Sequence, residues 1–172
     1  MILFINFNKL ILKLIKFITM KNSLIIFSFL FLLSPLVLAQ TNVSGGLSSD
    51  TTWSLANSPY TLTGSVLVTN GVTLTIEAGV TVKVNSGLYI KNEGIIIAVG
   101  TSSNKITFES SSASPAKSDW SGIRIRPTGG SAIDGSQNYS SGSRFKYVNI
   151  KHADIGLYIY DTGLHISYTE FD

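Results

Sequence analysis

The polar side chains that could take part in chemistry are spread through the second half of the chain. They are Arg124, Arg126, Lys146, Lys151, His152, Asp154, Asp161, His165 and Glu170. Hydrolysis of a glycosidic bond requires two carboxyl groups that face each other, and Ca²⁺ requires several carboxylate oxygens in one place. Asp154 and Asp161 are well separated along the chain, and only Glu170 and Asp172 alternate. This spacing predicts no catalytic residues, no metal site and no cofactor.

Two pairs of alternating residues indicate a binding surface instead. Arg124 and Arg126 form one pair, and Tyr158 and Tyr160 form the other. Successive side chains of a β-strand point to opposite faces, so the two members of each pair project from the same side. Arginines bind carboxylates, and tyrosine rings supply contact area, so we predict that these four residues bind a sugar. The alternative is that outward arginines only keep a strand soluble and protect its edge.

The strands that would carry these residues are separated by regularly spaced glycines. Between positions 70 and 108, short β-branched runs alternate with Asn, Gly and Ser, and the glycines are Gly71, Gly79, Gly87, Gly94 and Gly100. The intervals between these glycines are too short for a crossover helix between parallel strands. The segment must therefore form either hairpins or a coiled β-solenoid.

Recurring corners and ladders favour the solenoid. Asn70-Gly71 alone would indicate a hairpin, but the same kind of corner recurs. The run 72–76 returns as 95–99, at an interval that suits one turn of a three-sided coil. The pattern of Phe145, Tyr147 and Ile150 recurs at a similar interval as Ile166, Tyr168 and Phe171. This recurrence predicts that like side chains stack in ladders inside the solenoid. We expect an all-β, parallel, three-sided β-solenoid of three to four coils.

The segment 1–39 has the pattern of an export signal. From Met20, a basic start at Lys21 precedes an apolar run and then Val37-Leu38-Ala39. We expect signal peptidase to cut between Ala39 and Gln40, with Met20 as the true start and 1–19 as an upstream extension. An unusually long basic region or a membrane anchor is the alternative. We then expect the protein to be secreted or displayed on the cell surface, and to meet a membrane only through an uncleaved signal region.

The net charge changes when the predicted signal is removed. Four of the 13 basic residues precede Gln40, whereas all 10 acidic residues follow it, so the mature formal charge is −1. A basic pI caused by the precursor indicates no nucleic-acid partner. The chain has no Cys, so disulfides are excluded.

Beyond the signal, we expect a flexible leader over 40–52 and a parallel β-helix over 53–172. Trp53, the Ser58-Pro59 corner and the following strand would cap the first coil, which favours a buried Trp53 over an exposed sugar platform. Polar loops at 110–119 and 127–143 would interrupt the coils and rim a common surface.

Three segments resemble the N-terminal part of secreted bacterial right-handed parallel β-helix proteins of the pectin-lyase-like superfamily. They are SPYTLTGSVLVTNGVTLTIEAGVTVKV, IIIAVGTSSNKITFESS and SDWSGIRI. The resemblance implies a parallel β-helix on an exported or surface protein, and it does not imply lyase activity. Long members carry further coils and C-terminal modules, so we expect this chain to be the front part of a longer product with an incomplete C-terminal end.

These patterns lead to two functional hypotheses. The first is a secreted or surface scaffold with a structural, adhesive or carbohydrate-binding role, whose partner is a surface polysaccharide or a host or cell-surface glycan. The alternative is a polysaccharide lyase or hydrolase whose catalytic coils are missing from this chain. We favour the first, because the spacing of the acidic residues does not suit catalysis.

Overall fold

The computed structural model describes Lys13, Lys16, residues 40–126, Thr128, residues 130–136 and residues 138–172. The chain divides into two compact units, Met1–Val37 and Leu38–Asp172. In the first unit only Lys13 and Lys16 are described, and both are helical and exposed. The predicted signal peptide, with Ala39, therefore lies outside the described residues. No helix among the described residues is long and apolar enough to cross a membrane.

The described part of the second unit contains 16 short strands and one 3-10 turn, Leu55–Asn57. The strands of its first half are β1 Thr41–Leu47, β2 Thr51–Trp53, β3 Tyr60–Val68, β4 Thr73–Ile76, β5 Thr81–Val84, β6 Ile90–Asn92, β7 Ile95–Val99 and β8 Ile106–Ser110. Those of its second half are β9 Ile123–Ile125, β10 Ser131–Ile133, β11 Tyr139–Gly142, β12 Arg144–Lys146, β13 Val148–Ile150, β14 Leu157–Ile159, β15 His165–Ser167 and β16 Glu170–Phe171.

Parallel pairing stacks these strands into three faces of a right-handed β-helix. Face 1 contains β2, β4, β7, β12 and β15. Face 2 contains the first half of β3 with β5, β8, β13 and β16, and face 3 contains the second half of β3 with β6, β9 and β14. The predicted fold is thus confirmed, but the helix has about six turns instead of three to four. The coil length is the one that the sequence predicted, since Thr73 pairs with Ile95 on the next coil and Phe145 pairs with Ile166.

The leader contributes one of these turns, and the prediction that it is flexible was wrong. Thr41–Leu47 runs parallel to both halves of β3, with a register shift between Val43 and Gly45. Gly45 has φ +82°, a conformation that costs glycine little, and so it can bend the strand around the corner between two faces. Val43 and Leu47 pack against the core, so β1 covers the end of the first coil.

Apolar side chains that alternate along the strands fill the interior. Leu74 and Ile76 of β4 are buried, as are Val82 and Val84 of β5. Trp53 is 2% exposed and its ring stacks on Tyr60 at 5.1 Å, which agrees with the interpretation of this residue as part of the core. Burial of this kind contributes about 25 cal/mol per Å² of apolar surface removed from water, and it is the main stabilising term for the stack.

The corners depend on glycine in two different ways. Gly71, Gly79 and Gly87 have φ values of +82°, +84° and +74°, a backbone conformation that costs glycine little because it has no Cβ. Gly94 does not have positive φ. It is needed for space, because a Cβ there would collide with the carbonyl oxygen of Val72.

The last coil differs from the predicted interior ladders. The predicted register is confirmed for Phe145 with Ile166 and for Ile150 with Phe171. Phe145 and Ile150 are buried, but Ile166 and Phe171 are 38% and 53% exposed because the strands β15 and β16 each pair on one side only. Tyr147 and Tyr168, its counterpart on the next coil, lie outside the core at a corner, and the centroids of their stacked rings are 4.5 Å apart.

The first polar excursion, residues 111–119, is held against the coil by Asp119. The Asp119 carboxylate accepts hydrogen bonds from Ser110 Oγ at 2.6 Å and from the Ala116 N–H at 3.0 Å. These bonds, that of Ser110 first, lower the pKa of Asp119 below its ordinary value. Trp120 then returns to the core and donates from Nε1 to the Lys151 carbonyl at 2.8 Å.

The second excursion forms the antiparallel hairpin β10–β11, which folds onto face 1. Because the two excursions leave the coil at opposite ends of β9, face 3 lies between them.

Candidate binding face

The outward side of face 3 carries a ladder of basic and aromatic residues. Lys91 of β6 pairs in register with Arg124 of β9, and Arg124 pairs with Tyr158 of β14. Neighbouring strands are about 4.8 Å apart, so side chains at the same register position lie directly beside one another. The ladder therefore presents one basic or aromatic side chain per coil along the helix axis.

Stacking contacts join Arg126, Tyr158 and Tyr160, and strand pairing places Arg124 beside Tyr158. The guanidinium of Arg126 lies 4.0 Å from the ring centroid of Tyr160, and the rings of Tyr158 and Tyr160 are 4.2 Å apart at 32°. Arg124 lies 4.2 Å from the ring centroid of Tyr89. Exposed cation–π contacts of this kind contribute about 0.5–1 kcal/mol each and hold an arginine in one orientation. We call this set of six residues the aromatic-basic ladder. Its members are Tyr89, Lys91, Arg124, Arg126, Tyr158 and Tyr160.

Sequence reasoning missed Tyr89 and Lys91. They alternate along the chain just as Arg124 and Arg126 do, and this was the available signal. The first excursion lies between Lys91 and Arg124, so a search at the coil spacing of Thr73 and Ile95 does not align them. Their place became visible only when the strands were paired.

The ladder has positive charge that no neighbouring carboxylate neutralises completely. Lys91 forms an ion pair with Glu93 at 2.6 Å, but among the described residues neither arginine of the ladder has a carboxylate within ion-pair distance. The Nε atom of Arg126 is shielded from solvent, and no described residue accepts a hydrogen bond from it. A guanidinium that lies over a tyrosine ring and has no carboxylate partner can bind an anionic group.

A shallow recess of about 430 Å³ adjoins the ladder. Its walls are Asn70, Lys91, Glu93, Arg126 and Thr128. Thr128 Oγ1 donates to the Glu93 carbonyl at 2.6 Å, which ties the start of the second excursion to the edge of face 3. The volume falls within the range of small-molecule sites, and amide, hydroxyl and charged groups converge on it.

Groups that could take part in catalysis lie apart from one another in the described part of the chain. Among the described residues, no three His, Asp or Glu side chains are close enough to hold a metal ion. Asp119, whose lowered pKa keeps it ionised, is occupied by its two loop hydrogen bonds and is not available as a general acid. His152 follows β13 of face 2, whereas His165 lies in β15 of face 1, so the two imidazoles are not brought together.

The comparison with known families found a match. Residues 45–158 match a family described as a pectate-lyase like beta helix domain. This range includes Arg124, Arg126 and Tyr158 of the aromatic-basic ladder and ends before Tyr160. Neither the search of curated proteins nor the search of solved structures found a significant match. Since the matched range covers more than half of the chain and the strands coil as such a domain requires, the chain belongs to the pectate-lyase-like β-helix domain family.

Proposed function

We propose that this chain is an exported carbohydrate-binding scaffold whose aromatic-basic ladder binds an acidic polysaccharide. The observation that carries the proposal is the pair of arginines, each stacked on a tyrosine and neither paired with a carboxylate among the described residues. A guanidinium can donate two parallel hydrogen bonds to a carboxylate, and a tyrosine ring offers a flat apolar surface to a sugar.

The shape of the face suits a linear polymer. The ladder runs along the helix axis across β6, β9 and β14, so successive sugars can contact successive coils. The recess at Arg126 gives one sugar a place to be held more deeply than its neighbours. Export as predicted from the signal pattern, with cleavage between Ala39 and Gln40, delivers the scaffold to where surface polysaccharides and host glycans occur.

Binding of polygalacturonate, measured by calorimetry beside a neutral glucan, tests the proposal. We expect saturable binding of polygalacturonate and no binding of the neutral glucan. The double variant R124Q/R126Q should weaken the affinity for polygalacturonate by at least about tenfold, since one charge-assisted hydrogen bond contributes about 1.5–3 kcal/mol. The variant K83Q/K151Q, which removes two positive charges from face 2 and its edge, is the matched control. Equal weakening by both variants would reduce the effect to net charge and would contradict a built site.

The lyase or hydrolase alternative requires its own assay. A lyase needs a base beside the uronate carboxyl and usually carboxylates for Ca²⁺. Unsaturated uronate products released by this chain with added Ca²⁺ would favour that alternative. We expect the polymer to be bound and recovered without shortening.

A further inference from the structure

The corner between β3 and β4 contains the pair Asn70-Gly71, and Asn70 forms part of the wall of the recess beside the aromatic-basic ladder. The Val72 N–H donates to the Thr69 carbonyl at 3.0 Å and closes a β-turn around the pair. Gly71 has φ +82°, and a Cβ added there would have no atom within 4 Å. Asn70 and Gly71 are both exposed. The pair is therefore open to water, and the space around Gly71 is uncrowded.

Two groups of this pair that can react with each other are unused. The side-chain amide of Asn70 and the backbone N–H of Gly71 form no hydrogen bond with any described residue. Attack of the Gly71 nitrogen on Asn70 Cγ would close a five-membered ring, and no second molecule has to be positioned for it. Because glycine has no Cβ, its nitrogen is the least hindered that any residue could offer, and its backbone can rotate most freely.

A similar corner, Asn85-Ser86-Gly87, is held in place instead. Asn85 Oδ1 accepts from Ser111 Oγ at 2.6 Å, and the Gly87 N–H donates to the Asp119 carbonyl at 2.8 Å. The nitrogen that would attack Asn85 belongs to Ser86, whose side chain hinders the approach. The structure thus contains a free Asn corner and a fixed one, and the fixed corner is an internal control.

We propose that Asn70-Gly71 is a site of spontaneous deamidation that changes the charge of the recess. The Gly71 nitrogen loses its proton to solvent and attacks Asn70 Cγ. A new C–N bond then closes a succinimide ring, and the side-chain nitrogen leaves as ammonia after it takes up a proton from water. Water adds to either ring carbonyl and breaks one C–N bond of the ring, which gives aspartate or isoaspartate at position 70. Both products carry an additional negative charge.

The new carboxylate changes the binding properties of the recess, whose wall includes Lys91 and Arg126. Lys91 already pairs with Glu93 at 2.6 Å, whereas no described carboxylate lies within ion-pair distance of Arg126. A carboxylate at position 70 repels an anionic ligand in the recess and attracts the arginine that would bind it. This effect on binding rests on the proposed function, whereas the deamidation itself does not.

Incubation of the full chain in heavy-oxygen water, at neutral and at mildly alkaline pH, tests the modification. Peptide mass spectrometry follows the incorporation of solvent oxygen at Asn70 and at Asn85. We expect label at Asn70 to increase with time and to increase faster at the higher pH, because the attacking nitrogen must lose its proton. Asn70→Gln would have to close a larger ring and should remove this labelling. Labelling of Asn70 no faster than that of Asn85, or labelling that persists in Asn70→Gln, would overturn the site.

Calorimetry with polygalacturonate tests the effect on binding separately. Asn70→Asp introduces the charge alone and should weaken the affinity about two- to fivefold, the effect of one exposed charge pair. Asn57→Asp is the matched control, since Asn57 is exposed at a corner between faces 1 and 2, and it should leave the affinity unchanged. Equal affinities of Asn70→Asp and the wild type would overturn the effect on binding. A wild-type chain that binds no polygalacturonate would contradict the proposed function, and the labelling at Asn70 would still decide whether deamidation occurs.

Discussion

The buried hydroxyl of Ser143 joins the end of the second excursion to the neighbouring coil, and replacing Ser143 tests the strength of this connection. Ser143 is 0% exposed, and its Oγ accepts from Asn92 Nδ2 at 2.9 Å and from the Ile96 N–H at 3.0 Å. Ser143→Ala removes this acceptor from two donors at once. A buried donor left without its acceptor costs about 1–3 kcal/mol, so we expect the free energy of unfolding to fall by about 2–4 kcal/mol, with some relief from rotation of Asn92.

Urea unfolding followed by circular dichroism measures this loss as a lower midpoint at unchanged slope. The exposed Ser140→Ala is the matched control and should change the free energy of unfolding by less than about 0.5 kcal/mol. In an Asn92→Ala background, Ser143→Ala should cost about 1 kcal/mol less, because one of the two donors is already absent. A midpoint for Ser143→Ala that equals that of Ser140→Ala would refute the reasoning.

Three further predictions follow from the same structure. Gly122→Ala should lower the free energy of unfolding by more than about 2 kcal/mol in thermal unfolding, because its φ is +87° and the new Cβ would collide with the Ile155 carbonyl oxygen; Gly135→Ala, with open space around it, should be nearly neutral. Asp119→Asn should lower the free energy of unfolding at neutral pH, because the lowered pKa of Asp119 means that its ionised carboxylate stabilises the folded state. The difference in free energy of unfolding between the variant and the wild type should shrink as the pH falls through that lowered pKa. A difference that does not change with pH would contradict this. Mass spectrometry of the exported protein should find Gln40 at its N-terminus, and an uncut chain would disprove the predicted cleavage.

The repetitive part of the fold was predictable because local patterns determine it. Alternating apolar residues in β4 and β5 and the left-handed glycines Gly71 and Gly79 are each set by their own short segment. The ladder from Phe145 to Ile166 was likewise visible in the sequence. A solenoid repeats the same local solution, so a few such signals are sufficient to identify it.

Features that depend on distant backbone were not predictable. The strand β1 has a polar, glycine-rich sequence, and it is ordered by pairing with β3, which no side-chain pattern in it indicates. Gly94 is required by the nearby Val72 carbonyl, a contact made one coil away. In the candidate site, the outward arginines and tyrosines were found from their alternation, but Tyr89 was missed because the first excursion shifts the register by an irregular length.

Hydroxyl-radical footprinting with and without polygalacturonate tests the central claim most directly, because the chain contains its own control. Tyr158 of the aromatic-basic ladder is 42% exposed, and Tyr168, at a corner outside the ladder, is 66% exposed. If face 3 binds the polymer, oxidation of Tyr158 should fall as the polymer is added while that of Tyr168 stays constant. Equal protection of both tyrosines, or protection of Tyr168 alone, would contradict a binding site on face 3.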